Sequence, residues 1–160
     1  MTGRIAVVVL LLSAILAGGG VWYAQTRGFY SRLAPQQVAA QITLTAADGT
    51  LSVLPVASVE GIDATSSPIR WRACLTGARI LAGLTPVPYP KPTPLVGPGW
   101  FPCYDAGAAT EALASGQAQA FLSASEVRPD VDRVIVLWPD GHGMAWHQYS
   151  DKTPERGVMD

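Results

Sequence analysis

The sequence has 160 residues, of which 49% are hydrophobic and only 14% are charged, and its formal net charge at pH 7 is −1. Soluble domains average about 25% charged residues and disordered chains are richer in charge, so the composition argues against disorder. Residues 33–160 carry 8 basic and 12 acidic side chains, a net charge of −4. No run of lysine or arginine lies in that part of the chain, which argues against a nucleic-acid partner.

The first element is an uncharged apolar segment, residues 5–26. As a helix with a rise of 1.5 Å per residue it spans about 33 Å, enough to cross a hydrocarbon core of about 30 Å. Trp22 and Tyr23 stand at its far end, where interfacial aromatic residues are typical. The segment predicts a transmembrane helix after a cytoplasmic N-terminus of residues 1–4. A cleaved signal peptide and a buried core helix are the alternatives, the first because Ala17-Gly18-Gly19 resembles a cleavage site.

Cys74 and Cys103 are the only cysteines of the sequence. The sequence has no CxxC motif, which argues against a thioredoxin-like or zinc-ribbon site. In an exported domain, two cysteines most simply form one disulfide, and two independent buried thiols are the alternative. The short N-terminal flank and this cysteine usage favour a single-pass inner-membrane protein with its C-terminal domain in the periplasm. The basic residues on the two flanks of the apolar segment do not decide the orientation.

Beyond the apolar segment we expect a juxtamembrane stalk over residues 27–40, a domain over residues 41–150 and a polar tail over residues 151–160. Apolar and polar residues alternate on both sides of Asp48-Gly49, which predicts a β-hairpin. Residues 56–67 predict no regular element beyond one helical turn. Residues 68–75 alternate again and predict a strand.

Seven prolines between residues 86 and 102 are too dense for a strand inside a sheet, so this stretch is predicted to be a loop. Asp105 as N-cap and Gly116 as a C-terminal stop predict a helix of about ten residues between them. Three further strands are predicted, at residues 117–123, 131–137 and 144–149. The fold class is therefore α+β: an N-terminal transmembrane helix, then a small, mainly antiparallel sheet domain with one short helix.

The two histidines, His142 and His147, flank Met144, and soft sulfur ligands together with imidazole favour copper. A copper-handling or redox accessory factor using His142, Met144, Cys74 and Cys103 is therefore the alternative function, provided that the cysteines are reduced. Strand alternation places His147 on the side opposite to His142 and Met144, so no metal site or cofactor is predicted. The sequence has no G-x-S-x-G motif and no phosphate-binding loop, and we expect no enzymatic activity.

Five residues are candidates for partner binding. Trp100, Phe101 and Tyr104 concentrate aromatic side chains in a loop that a disulfide at Cys103 would hold, although they could equally cap the core. Arg70 and Arg72 share one face of the strand predicted over residues 68–75. Such a pair could bind an acidic partner or a lipid headgroup, and a solvated face with local acid pairs is the alternative.

Four blocks of sequence, SSPIRWRAC, GPGWFPCYDA, ALASGQAQAFL and DRVIVLWPDGHGMAWHQ, lie in this order between residues 66 and 148. Together they resemble an uncharacterised family of small, single-span membrane proteins of alphaproteobacteria. The resemblance implies membrane anchoring and one small domain, and it implies no catalytic residues. We expect a non-catalytic interaction protein anchored in the lipid bilayer, an accessory subunit or assembly factor of an inner-membrane protein complex.

Overall fold

A computed structural model describes residues 3–152 of the chain, and part of the predicted polar tail, residues 153–160, lies outside them. The chain divides into two compact units, with the boundary after Tyr30. In the first unit, helix α1 (Gly3–Tyr23) continues into a π-helical turn, Ala24–Gly28. This apolar helix of 26 residues is long enough to span a membrane, and it contains the segment predicted from the sequence.

The domain that follows is built from eight strands and two helices within the described residues. The strands are β1 (Tyr30–Arg32), β2 (Thr43–Thr45), β3 (Leu51–Val53), β4 (Ser58–Ala64), β5 (Arg72–Thr76), β6 (Gln119–Arg128), β7 (Val131–Leu137) and β8 (Gly143–Tyr149). The helices are α2 (Pro35–Ala39) and α3 (Ala106–Ser115). The predicted α+β class is confirmed.

Six strands form one sheet in the order β1-β4-β5-β8-β7-β6, and β2 pairs with β3 in a separate hairpin. The pairs β4–β5, β5–β8, β8–β7 and β7–β6 are all antiparallel. Every residue of β7 is buried, and so is every residue of β8 except Tyr149. The central strands therefore need a covering layer on both faces of the sheet.

Helix α2 and the β2–β3 hairpin cover the first face. The core on this side contains Val38 of α2 and Leu44 of β2, packed with Leu75 and Ile135 of the sheet and with Trp71, which precedes β5. The segment between β5 and α3, together with α3 itself, covers the second face. Phe101 and Tyr104 from this segment and Ala109 and Ala112 from α3 are buried there.

Several predicted elements are confirmed in type and place. The Asp48-Gly49 hairpin corresponds to β2–β3, and the Asp48 carboxylate accepts a hydrogen bond from the Thr50 N–H at 2.9 Å. The Asp105 carboxylate accepts from the Ala108 N–H at 3.0 Å, and Gly116 ends α3 in the left-handed region with φ of 73°. These features depend on chemistry within a few residues, which is why the sequence predicts them.

The sequence did not predict β1, α2 or β4. The segment expected to be a stalk, residues 27–40, contains β1 and α2, and Val38 is completely buried. Three strand residues and five helix residues are too few to produce a periodic pattern. The expectation of at most one helical turn over residues 56–67 is wrong, because β4 occupies Ser58–Ala64.

Gly61 explains why β4 is difficult to recognise. Glycine inside a strand normally weakens it and often marks the close approach of another part of the chain. A Cβ at residue 61 would lie 2.7 Å from Cγ2 and 3.0 Å from Cγ1 of Val38. The glycine is therefore needed for α2 to pack on β4, a requirement that exists only in the tertiary structure.

We predict that Gly61→Val lowers the free energy of unfolding by about 1–3 kcal/mol, because the added atoms overpack the contact with Val38. Urea unfolding followed by tryptophan fluorescence measures this change. Gly99→Ala is the matched control, since a Cβ at residue 99 meets no atom within 4 Å. Equal stability of Gly61→Val and the unaltered protein would show that α2 moves away at no cost.

Candidate interaction site

The two cysteines lie at disulfide distance, as predicted. Cys74 in β5 and Cys103 in the covering segment are bonded to each other, with their Cα atoms 6.0 Å apart. The bond joins the end of the proline-rich loop to the central part of the sheet. Closing a loop of this length stabilises a fold by about 3–4 kcal/mol in the chain-entropy model.

This bond bears directly on the copper alternative, because disulfide sulfurs are not the thiolates that copper binds. Met144 pairs with Cys74 in the sheet, and its sulfur accepts a hydrogen bond from the Asp105 N–H at 3.4 Å. His142 lies away from these sulfurs, stacked on Trp138 with the ring centroids 4.2 Å apart. Within residues 3–152, no three His, Cys, Asp or Glu side chains converge to hold a metal ion.

The structure separates the five residues predicted to bind a partner. Phe101 and Tyr104 are buried with 1% and 6% exposure, and Arg72 is buried with 3%. Trp100 and Arg70 are half-buried at the surface. Of the five predicted residues, only Trp100 and Arg70 therefore lie at the surface of the domain.

Arg72 holds the proline-rich loop against the second face of the sheet. Its guanidinium donates to the carbonyl oxygens of Ile69 at 2.6 Å, Leu95 at 3.0 Å and Val96 at 3.3 Å. The guanidinium carbon also lies 5.5 Å from the centroid of the Tyr104 ring. Burial raises the pKa of the Tyr104 phenol, and the charge of Arg72 opposes this shift.

A second buried polar cluster lies on the first face of the sheet, around His147. The Arg133 Nε–H donates to His147 Nε2 at 3.2 Å, and His147 Nδ1 lies 3.0 Å from the Pro68 carbonyl oxygen. The imidazole stacks on Trp71 with the ring centroids 4.9 Å apart. Both ring nitrogens are thus engaged, which fixes a neutral imidazole with its proton on Nδ1.

The same cluster anchors the chain before β2. Arg133 donates to the Gln41 carbonyl oxygen at 2.7 Å and to the Gln41 side-chain oxygen at 2.9 Å. Burial lowers the pKa of Arg133 to about 10, and the charge of Asp63 opposes this shift. Burial, together with the charges of Arg133, Arg72 and Arg128, lowers the pKa of His147 to about 4, against the hydrogen bond to Pro68.

A cleft of about 420 Å³ opens beside this cluster. Its lining residues are Asp63, Ala64, Thr65, Ser66, Ser67, Pro68 and Arg128. Ligand cavities are lined mainly by hydrophobic and aromatic side chains, and no such large side chain lines this one. Its hydroxyl and charged groups can hydrogen-bond small polar molecules.

A groove lies at the turn between β7 and β8, and Gln117 and Gln119 line it beside its apolar residues. It consists of two adjoining cavities of about 280 Å³ and 270 Å³ that share Ile80, Leu137, Trp138 and Pro139. Ile80 is 43% exposed. No local sequence pattern predicts this groove, because its residues come from chain segments almost 60 residues apart.

Local hydrogen bonds position Trp138 in the groove. The Trp138 N–H donates to the His142 carbonyl oxygen at 3.0 Å, and the Gly141 N–H donates to the Trp138 carbonyl oxygen at 3.0 Å. Asp140 accepts from both the backbone N–H and the ring of His142, which keeps the imidazole stacked over the indole. The hydrogen bond from the His142 N–H is the largest cause that lowers the pKa of Asp140.

The pKa of His147 predicts a pH dependence of stability. Its folded pKa of about 4 lies below the unfolded value of about 6.5, so the unfolded chain binds a proton that the folded chain excludes. This contribution is complete above pH 6.5, and it falls by roughly 3 kcal/mol as the pH drops from 6.5 to 4.

We expect the free energy of unfolding, measured by urea titration, to depend less steeply on pH over this window in His147→Gln. The other histidine supplies the control: His142→Gln should keep the steep dependence, and identical pH profiles for all three proteins would refute the assignment.

Comparison with known proteins adds one finding to this geometry. A model of a family of unknown function, DUF6446, matches residues 41–156. The match includes β2 to β8, both cysteines and the groove around Trp138. No curated protein and no solved structure matches the chain. Since the match covers well over half of the sequence, the chain belongs to this family of unknown function, DUF6446.

Proposed function

We propose that this protein is a membrane-anchored, non-catalytic interaction protein, whose domain binds a subunit of an inner-membrane complex through the groove around Trp138. The groove is the observation that carries this proposal. Its two adjoining cavities have volumes of about 280 Å³ and 270 Å³. Cavities of this size suit single apolar side chains, which anchor most protein interfaces.

The composition of the groove supports a protein partner. Aromatic and aliphatic side chains are enriched at the centre of interfaces, and the groove presents the Trp138 indole between Ile80, Leu137 and Pro139. The stacking of His142 on Trp138 holds the indole in place, so less conformational entropy is lost when a partner binds. An apolar side chain from a partner would displace water from this surface.

The N-terminal helix supports the anchoring. The helix is predominantly apolar and unburied within the unit that contains it, as expected of a helix surrounded by lipid. The disulfide supports a domain on the oxidising side of the membrane, since cytosolic proteins rarely keep such bonds. We propose that the anchor lies in the inner membrane and the domain in the periplasm, as an accessory subunit or assembly factor.

Affinity purification of the tagged full-length chain from native membranes in mild detergent tests the groove. We expect a stoichiometric membrane complex to co-purify with the unaltered protein and to be lost with Ile80→Asp, since a carboxylate would be desolvated at the interface. Leu51→Asp is the matched control, because Leu51 is 59% exposed and lies outside the groove. A protein that purifies alone, or a complex that tolerates Ile80→Asp, contradicts the proposal.

Thiol labelling in intact spheroplasts tests the orientation. With a membrane-impermeant maleimide, the unaltered chain should remain unlabelled until a reductant opens the disulfide. Cys74→Ser leaves Cys103, which is exposed at the surface, as the single thiol, and this variant should be labelled without reductant. Labelling that requires lysis of the cells would place the domain in the cytoplasm.

A further inference from the structure

The proline-rich loop displays an apolar side chain that the fold does not use. Val96 is 82% exposed, more than any other large hydrophobic residue among residues 3–152. Burying a valine side chain is worth about 1.5–3 kcal/mol, so transfer of Val96 from water to an apolar environment would be favourable. Close to it in the chain stands Trp100, whose ring lies 5.6 Å from the Arg32 guanidinium carbon. We call Arg32, Val96 and Trp100 the surface triad.

The loop that carries Val96 and Trp100 is held firmly by buried groups. Arg72 donates to the carbonyl oxygens of Leu95 at 3.0 Å and of Val96 at 3.3 Å. The Phe101 N–H donates to the Pro98 carbonyl oxygen at 2.9 Å, and Phe101 itself is buried. Because these anchors lie within the domain, the exposure of Val96 results from the fold rather than from a loose loop.

The position of the triad in the chain indicates what covers it. Arg32 follows Gly28, the last residue of the apolar helix, by four residues. Four residues of fully extended chain span at most about 14 Å, so Arg32 stays near the point where the chain leaves the helix. If that helix spans a bilayer, chain length keeps Arg32 within reach of the lipid headgroups, and Trp100 lies beside Arg32.

The side chains suit this environment. Tryptophan is enriched at membrane–water interfaces, where its ring is buried and its N–H stays hydrated. Arginine extends its apolar stem along lipid and pairs its guanidinium with phosphate. Arg32 also forms an exposed salt bridge with Glu60 at 3.3 Å, which offsets part of its charge. Apolar insertion of Val96 and Trp100 is therefore the larger contribution, and the interaction should not require anionic lipid.

We propose that the surface triad docks the domain on the bilayer that holds the helix, with Val96 and Trp100 in the headgroup region and Arg32 at the lipid phosphates. This inference rests on the membrane anchoring proposed above and adds a lipid contact to it. Docking fixes one side of the domain against the membrane. It thereby limits the directions from which a partner subunit can reach the groove.

The test uses the full-length chain reconstituted in phosphatidylcholine vesicles that contain a shallow nitroxide-labelled lipid. Both native cysteines are bonded to each other, so Val96→Cys introduces a single free thiol for an environment-sensitive fluorophore. Leu51→Cys, at a residue that is 59% exposed on β3, is the matched control. We expect the nitroxide to quench the fluorophore several-fold more strongly at residue 96 than at residue 51, with little dependence on salt. Adding Trp100→Ser should reduce the quenching at residue 96.

Two further readouts separate this inference from the anchoring. Equal quenching at residues 96 and 51, in protein that resists extraction by alkaline carbonate, overturns lipid docking and leaves the anchor intact. Release of the protein by carbonate overturns both. In native membranes, crosslinking from residue 96 to a protein rather than to lipid would assign the triad to a protein interface and overturn the lipid contact.

Discussion

The fold depends on a sheet that must bury both faces although the domain contains very little helix. Strands β7 and β8 are buried almost throughout, yet α2 has 5 residues and α3 has 10. A proline-rich segment therefore covers much of the second face. Proline has no N–H to donate, but every carbonyl oxygen of such a segment still needs a partner once it is buried.

Side chains of the sheet supply those partners. Arg72 donates to Leu95 and Val96, and Gln148 donates to the Lys91 carbonyl oxygen at 3.0 Å while accepting from the Thr93 N–H at 2.8 Å. In the opposite direction, the Tyr89 hydroxyl of the covering segment donates to the Asp132 carboxylate of β7 at 3.1 Å. Buried polar groups are costly unless they are satisfied, so these side chains and the covering segment stabilise one another. Arg72 is thus buried because the proline-rich loop that covers it needs donors for its carbonyl oxygens.

The surfaces that the fold leaves uncovered carry the proposed function. The groove around Trp138 lies where a tight turn follows β7, and Leu137 of β7 lines it. Two members of the surface triad, Val96 and Trp100, lie on the proline-rich loop, which Arg72 and the disulfide hold, and Arg32 lies in β1. Both surfaces stand on rigid supports, which favours binding because little conformational entropy is lost. The polar cluster around His147, by contrast, has both imidazole nitrogens engaged and serves to join β7, β8 and the chain before β2.

The sequence alone determined the features that depend on composition or on neighbours in the chain. The apolar N-terminal helix, the Asp48-Gly49 hairpin, the cap of α3 at Asp105 and the cysteine pair are of this kind. Tertiary structure decided the features that depend on distant contacts: β4 with its Gly61 against Val38, the burial of Arg72 and Phe101, and the groove at Trp138. Arginine and aromatic residues occur both in interiors and at interfaces, so their number and spacing could not separate the two. Only the covering of both sheet faces decided which of these residues remain at the surface, because that covering brings together segments far apart in the chain.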